Sequence, residues 1–136
     1  MLEPLALLVC ATLFGGMMLY SFGFAAFVFR TQPADVAGRM LRQAFPAYYL
    51  FVIVAAVAAA VVLAPFAVDQ AAVLAAVAVS TVYARQVLMP QINAARDAQI
   101  AGEARAKRRF GLLHGGSVIL QLVQLAALGW VIWSFA

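Results

Sequence analysis

Charged residues are scarce in this chain, and their scarcity excludes a soluble domain. Only 10% of the 136 residues are charged and 67% are hydrophobic, whereas a typical soluble domain carries about 25% charged residues. A chain this apolar cannot cover a core with a polar surface, so lipid must be its solvent. The net charge is +4, but no recognisable nucleic-acid-binding fold accompanies it. We therefore expect membrane lipids as partners and no nucleic acid.

Side chains that perform chemistry are also few. There is one cysteine, Cys10, and one histidine, His114, so neither an intramolecular disulfide nor a paired-cysteine metal motif can form. The sequence contains no Gly-x-Ser-x-Gly motif, no Cys–His pair, no phosphate-binding loop and no paired carboxylates. These absences predict that the protein is not an enzyme and has no catalytic residues.

The chain contains four long apolar stretches. They cover about 5–29, 47–64, 70–89 and 110–135, and about 20 apolar residues suffice for a helix to cross the hydrocarbon of a bilayer. Pro46, Pro65 and Pro90 lie at their ends, because proline fits a first helical turn and cannot continue a finished helix. The sequence therefore predicts one all-α domain over 1–136, an integral membrane four-helix bundle with four spans.

The basic residues are confined to the first and third loops and their flanks. All nine lie there, and the positive-inside rule makes those loops cytoplasmic and both termini periplasmic. The arginines expected to meet lipid headgroups are Arg30, Arg39, Arg42, Arg85, Arg108 and Arg109. For Arg85, which lies inside the third span, three interpretations stay open: snorkelling to the surface, an ion pair with Asp97, or a lipid phosphate.

Both basic loops are predicted to be helical. From Pro33, apolar residues recur at helical spacing, which predicts a short amphipathic helix at the membrane interface between spans one and two. The third span is expected to extend as a helix into the cytoplasm, with a kink near Pro90 and a turn near Gly102.

Aromatic side chains near the span ends are expected to anchor the bundle in the membrane. Trp130 and Trp133 are expected at the outer interface, and Tyr48 and Tyr49 at the inner one.

Small residues are expected to pack the helices together, because spans in lipid associate through close backbone approach. The candidate packing residues are Gly15, Gly16, Gly23, Gly111 and Gly115. The Gly111-x-x-x-Gly115 motif opens span four. It fits packing inside a compact bundle, and it also fits a dimer interface.

Span four carries a polar stripe. It consists of His114, Ser117, Gln121 and Gln124, at positions i, i+3, i+7 and i+10, which cover an arc of about 80° at 100° per residue. An unsatisfied amide in hydrocarbon is costly, so we expect the stripe to face the bundle interior. The candidate hydrogen-bond partners are Thr12, Tyr20, Ser21, Ser80, Thr81 and Tyr83. The stripe is interpreted either as interhelical bonding or as a ligand site or polar pathway.

No cofactor is expected, although haem or copper stays an alternative. Such a group would use His114, with methionine sulfur as a second ligand. The available methionines are Met17, Met18, Met40 and Met89, which would otherwise fill gaps in the bundle.

Several short motifs along the chain resemble a known family. They are Gly15-Gly16, Phe29-Arg30, Phe45-Pro46-x-Tyr48-Tyr49, Pro90 and Arg109-Phe110-x-x-Leu113-His114-x-x-Ser117. The chain resembles the bacterial "domain of unknown function 4149" family, related to the transmembrane protein 205-like group. The resemblance implies a four-span protein of the bacterial inner membrane without an established role. The fold is also somewhat similar to copper-resistance D-type membrane domains, which keeps the haem or copper hypothesis open.

Three hypotheses for function follow. The first is a non-catalytic membrane protein that works through helix contacts, as an accessory or assembly subunit of a larger membrane complex or as a homo-oligomer. The second is a protein that binds haem, a metal or a small ligand at the polar stripe of span four. The third is passage of a solute.

Overall fold

Four long helices form the computed structural model, which describes residues 2–136. They are α1 (Leu2–Thr31), α2 (Ala34–Leu63), α3 (Val68–Ile100) and α4 (Ala106–Trp133). Each is long and apolar enough to cross a membrane, and the described part of the chain contains no strand. The predicted all-α bundle of four spans is confirmed, and the chain is a multi-pass membrane protein. A helix of 30 residues is about 45 Å long, so the helices extend beyond a hydrocarbon layer of about 30 Å.

Helix α2 differs from the expectation for the first loop. The stretch after Pro33 is helical, but it continues without a break through Pro46 into the second span. Ala37 and Leu41 of its first turns pack on Val28 of α1, so their apolar side is buried against protein rather than in headgroups. This burial offsets the backbone hydrogen bond that a proline inside a helix forfeits. In the part of the chain that the structure describes, no interfacial helix separate from the second span forms in this loop.

Helices α1 and α3 each contain one π-helical turn. In α1 it covers Leu19–Phe24, between α-helical segments Leu2–Met18 and Ala25–Thr31. In α3 it covers Ala84–Leu88, between Val68–Tyr83 and Met89–Ile100. The expected irregularity near Pro90 therefore takes the form of a π-turn just before the proline. Proline has no N–H to return to the preceding turn, and the N–H of Met89 shifts to the carbonyl of Ala84, five residues back.

Short turns join the spans. After α2, the N–H of Ala67 donates to the carbonyl of Leu63 at 2.8 Å, which closes the tight hairpin predicted between spans two and three. After α3, Gly102 has φ +89°. The N–H of Gly102 donates to Gln99 and that of Glu103 to Ala98, a Schellman cap in which the left-handed position favours glycine. The predicted helical extension of span three and its turn at Gly102 are both present.

The core lies along the bundle axis and includes two residues expected elsewhere. Tyr48 and Tyr49 are only 6% and 9% exposed, so they do not anchor the bundle at the inner interface as predicted. The ring of Tyr20 on α1 stacks on Tyr48 with centroids 4.0 Å apart, and Phe45 meets both rings edge-on. Tyr48 is therefore buried by stacking on Tyr20 of the neighbouring helix α1, while Tyr49 packs against Phe45 of its own helix. Trp133, by contrast, is 78% exposed at the other end.

Candidate functional site

Gln124 joins α4 to α3 inside the bundle. Its Nε2 donates to Ser80 Oγ at 2.8 Å and to Thr81 Oγ1 at 3.0 Å, and it lies 3.5 Å from the carbonyl of Val77. Both hydroxyls donate their own protons to the Val77 carbonyl, so their oxygens are left to accept from the amide. Gln124 is 8% exposed. This end of the polar stripe is an interhelical hydrogen-bond network.

Gln121 joins α4 to α1. Its Nε2 donates to Ser21 Oγ, and Ser21 lies within the π-turn of α1. The neighbouring Tyr20 and Tyr48 hydroxyls are buried without a hydrogen-bond partner among residues 2–136. The sequence offered Tyr20 and Ser21 as partners for the stripe, and the structure brings Ser21 to it. Nothing in the residue pattern of α1 indicated the π-turn.

Within the described residues, His114 and Ser117 make no side-chain hydrogen bond to another helix. His114 is exposed, and its ring lies parallel to that of Phe110 with centroids 5.6 Å apart. Ser117 Oγ donates to the carbonyl of His114 at 2.7 Å, within its own helix. The expectation that the whole stripe faces the interior is therefore wrong for His114, which lies at the exposed edge of the side through which α4 packs. Arg96 of α3 lies 5.4 Å from the Phe110 ring centroid there.

Two of the other expected partners also stay apart from the stripe. Thr12 Oγ1 donates to the carbonyl of Leu8 in its own helix, and Tyr83 is 52% exposed. Ser80 and Thr81 are thus the partners that α3 supplies.

The groups considered for a cofactor have different surroundings. Within residues 2–136, no three His, Cys, Asp or Glu side chains lie close enough together to hold a metal ion. Met17 is fully buried in the core, while Met18 and Met40 are each 38% exposed. Met17 thus occupies the place of a gap-filling core side chain.

The five candidate packing glycines have different surroundings. A Cβ atom placed on Gly16 would lie 2.6 Å from ring carbons of Phe51 on α2, so this glycine permits a close approach of α1 and α2. At Gly23 the only neighbour is Leu19 of the same helix. Gly15, Gly111 and Gly115 have no atom within 4 Å of that position. Among residues 2–136, the glycine pair of span four is therefore not used for packing against another helix.

Two of the arginines assigned to lipid headgroups form ion pairs within the chain. Arg42 holds both carboxylate oxygens of Asp97, at 2.7 and 3.1 Å, and thereby ties α2 to the extension of α3. Hydrogen bonding to Arg42 lowers the pKa of the Asp97 carboxyl from its ordinary value. Arg39 pairs with Asp35 one turn away at 3.1 Å. Arg30, Arg108 and Arg109 are exposed.

Arg85 is in a different position from the other basic residues. It lies in the π-turn of α3, and its Nε is buried without a hydrogen-bond partner in the described chain. Asp97, one of the partners considered for it, is held by Arg42. The sequence indicated that Arg85 lies inside a span, but not that its Nε would be left without an acceptor.

A groove of about 520 Å³ runs between α3 and α4 on the outer surface of the bundle. Its lining is mostly apolar, and two of its residues, Ser80 and Tyr83, carry hydroxyls. The lining consists of Ala76, Val79, Ser80, Tyr83, Leu88, Gly116 and Leu120. The groove lies beside the Gln124 network, because Ser80 belongs to both. The sequence analysis did not predict this groove. The lack of a side chain at Gly116 is the feature of the sequence that could have indicated it.

Comparisons with known proteins give a family and nothing further. Neither the curated proteins nor the solved structures yielded a match to this chain. The model of the family described as "Domain of unknown function (DUF4149)" matches residues 8–101. That range covers well over half of the chain and leaves the Arg109–Ser117 motif outside it. The resemblance seen in the sequence is thereby confirmed for its first three spans, and the chain belongs to the DUF4149 family.

Proposed function

We propose that this protein is a non-catalytic membrane subunit that works by docking a further membrane-spanning helix against α4. The docked helix belongs either to a larger membrane complex or to a second copy of the chain. The observation that carries the proposal is the open space around Gly111 and Gly115. A small-xxx-small pair lets two helix backbones approach closely in lipid, and none of the helices described for residues 2–136 packs against this one.

The contacts made by the rest of α4 support this proposal. Its Gln121 and Gln124 side binds α1 and α3, so α4 is held in the bundle without the glycine pair. Substitutions at Gly111 and Gly115 should therefore leave the bundle intact and affect only what docks there. Among residues 2–136, no cluster of three His, Cys, Asp or Glu side chains supports the alternative of a metal site.

The test is isolation of the full chain from source membranes in mild detergent, followed by native electrophoresis and identification of what comigrates. Wild-type protein is expected above the monomer size, and the Gly111→Leu/Gly115→Leu variant at the monomer size. Gly15→Leu is the matched control, because Gly15 also faces open space but lies on α1. A monomeric wild type, or an unchanged size in the double variant, contradicts the proposal.

We further propose that the basic end of the bundle faces the cytoplasm in the bacterial inner membrane. The positive-inside rule supports this orientation, since Arg30, Arg42 and Arg108 all belong to the same end. In a Cys10→Ser background, a cysteine at Ala104 should resist a membrane-impermeant maleimide in intact cells. A cysteine at Phe66, in the opposite turn, should react. The reverse pattern contradicts the orientation.

A further inference from the structure

Lys107 and Arg108 extend the face of α4 on which Gly111 and Gly115 lie. At 100° per residue, Lys107 lies about 40° and Arg108 about 60° around the helix from Gly111, and both precede it by about one turn. Both side chains are exposed, and neither forms an ion pair within residues 2–136. Two cations without a counter-charge thus adjoin the proposed docking position.

The start of α4 adds to this positive charge. The helix begins at Ala106, so Lys107 and Arg108 lie in its first turn, where the helix macrodipole places partial positive charge. Arg105, the residue before the helix, forms no side-chain cap. Cations are unfavourable at a helix N-terminus and anions are favourable there. The two cations therefore lie where the helix itself favours a negative group.

The apolar part of the same face continues toward the other end of α4. Val118 and Leu122 lie about 20° from Gly111 on opposite sides, and they are 44% and 50% exposed. Lipid covers apolar side chains as readily as a protein does, so these two residues do not identify a partner. The glycines favour a helix, because they permit close approach of the backbones. The two cations indicate the charge that suits the end of that helix.

The α4 helix of a second copy of the chain does not suit this face. Two copies with the same orientation in the membrane that dock α4 on α4 are related by a two-fold axis, which brings each residue close to its equivalent. Lys107 and Arg108 of one copy then meet the same cations of the other, across a contact that the glycines make close. Like charges brought together at an interface lower the affinity.

The other helices of a second copy offer no free carboxylate to these cations. Three carboxylates of the described chain lie at the basic end, on Asp35, Asp97 and Glu103. Asp35 and Asp97 are held by arginines of the same chain. Glu103 lies in the turn between α3 and α4 rather than on a span. A negative group on the docked span is therefore best supplied by a different protein.

From these observations we infer that the docked helix belongs to a different membrane protein and carries Asp or Glu where it leaves the membrane at the basic end. Its carboxylates pair with Lys107 and Arg108, and its span packs on Gly111 and Gly115. The inference rests on the proposed function, because it names the partner of that docking face. Charge complementarity of this kind selects one partner against others.

Charge reversal in the source membranes tests the ion pairs. The full chain is isolated in mild detergent and resolved by native electrophoresis, and the comigrating membrane proteins are identified. Lys107→Glu/Arg108→Glu should retain about tenfold less partner than wild type, as expected when two exposed ion pairs are replaced by repulsion. Arg105→Glu/Arg109→Glu is the matched control. It makes the same charge change about 120° and 160° around α4 from Gly111, and it should retain the partner.

The outcomes separate the charge of the partner from docking itself. An undiminished partner in Lys107→Glu/Arg108→Glu overturns the inference. An equal loss in the control variant also overturns it and assigns the effect to lipid headgroups. A comigrating chain without an acidic residue at that end, or a second copy alone, overturns it as well. In each case docking on α4 stands if Gly111→Leu/Gly115→Leu releases the partner, and the proposed function itself fails if that variant keeps it.

A copy with reversed charge serves as a partner of known composition. Wild-type chain with one tag is co-expressed in a bacterial membrane with a Lys107→Glu/Arg108→Glu chain that carries a second tag and presents carboxylates at the matching level. This copy should copurify with wild type about tenfold more than a second wild-type copy does. Adding Gly111→Leu/Gly115→Leu to the reversed copy should abolish the gain. Equal recovery of the wild-type and reversed copies overturns the inference.

A neutral variant keeps the test decisive if the charge reversal prevents folding. Where circular dichroism shows that Lys107→Glu/Arg108→Glu has lost helix, Lys107→Gln/Arg108→Gln takes its place in the source membranes. The neutral variant should retain severalfold less partner than wild type, while Arg105→Gln/Arg109→Gln should retain it fully. Equal retention by these two neutral variants overturns the inference.

Discussion

Replacement of Gln124 by leucine should weaken the bundle more than any other change in the polar stripe. The substitution removes the two good hydrogen bonds from Nε2, to Ser80 at 2.8 Å and Thr81 at 3.0 Å. The contact to Val77 at 3.5 Å adds little. Interhelical hydrogen bonds in membranes are worth about 0.6 kcal/mol each on average, so the expected loss is about 1.2 kcal/mol. Ser80 and Thr81 keep their bonds to Val77, which limits the loss to roughly this value.

Comparison within the stripe makes this prediction refutable. Gln121→Leu removes a single bond, to Ser21, and should cost about 0.6 kcal/mol. His114→Ala removes an exposed ring that makes no interhelical hydrogen bond, so its effect should lie within about 0.5 kcal/mol of zero. Reversible unfolding of purified protein in mixed micelles would measure all three. A loss for His114→Ala equal to that for Gln124→Leu would refute the division of the stripe into a bonded end and an exposed end.

Two further predictions concern the packing glycine and the ion pair. Gly16→Ala should be less stable than Gly15→Ala by about 1 kcal/mol, because its methyl group would press against the ring of Phe51, which must shift. Gly15→Ala should be neutral or stabilising because it meets open space, and a loss in the same micelle assay equal to that of Gly16→Ala would contradict this. Asp97→Asn should lower the thermal unfolding temperature slightly at neutral pH, since the Arg42–Asp97 pair is mostly exposed. The lowered pKa of Asp97 means that its contribution is present above the ordinary aspartate pKa of about 3.9. It fades as the pH falls through the lowered value, so a difference that persists unchanged in strong acid would speak against this account.

Predictions that depended on the chemistry of a single segment or residue agree with the structure. Four apolar stretches separated by polar loops determine four spans, because each backbone polar group in lipid must be satisfied inside its own helix. Gly102 was assigned to the turn after the third helix, since few residues other than glycine tolerate its positive φ. Gln124 was expected inside the bundle with Ser80 and Thr81, because an unpaired amide in hydrocarbon is costly.

Predictions that depended on a neighbouring helix succeeded less well. Tyr48 and Tyr49 are residues of the type that anchors helices at the membrane interface. They are instead buried in the core, where Tyr48 stacks on Tyr20 and Tyr49 packs against Phe45. The stretch before Pro46 has the pattern of an interfacial helix, yet Val28 of α1 provides the apolar surface on which it packs. His114 has the same helical phase as Gln121 and nevertheless lies exposed.

The sequence by itself determined how many helices there are, where they turn and which end is basic, because hydrophobicity and charge act on each segment separately. Only the tertiary structure decided which polar groups are satisfied and which are left over. Gln124 is bonded to two hydroxyls, whereas Arg85 Nε has no acceptor among residues 2–136. This distinction depends on which atoms of other helices come within about 3 Å. The same holds for the glycines, since only the position of Phe51 distinguishes Gly16 from Gly15. Distances of this kind are set by how the helices pack together, which no single segment specifies.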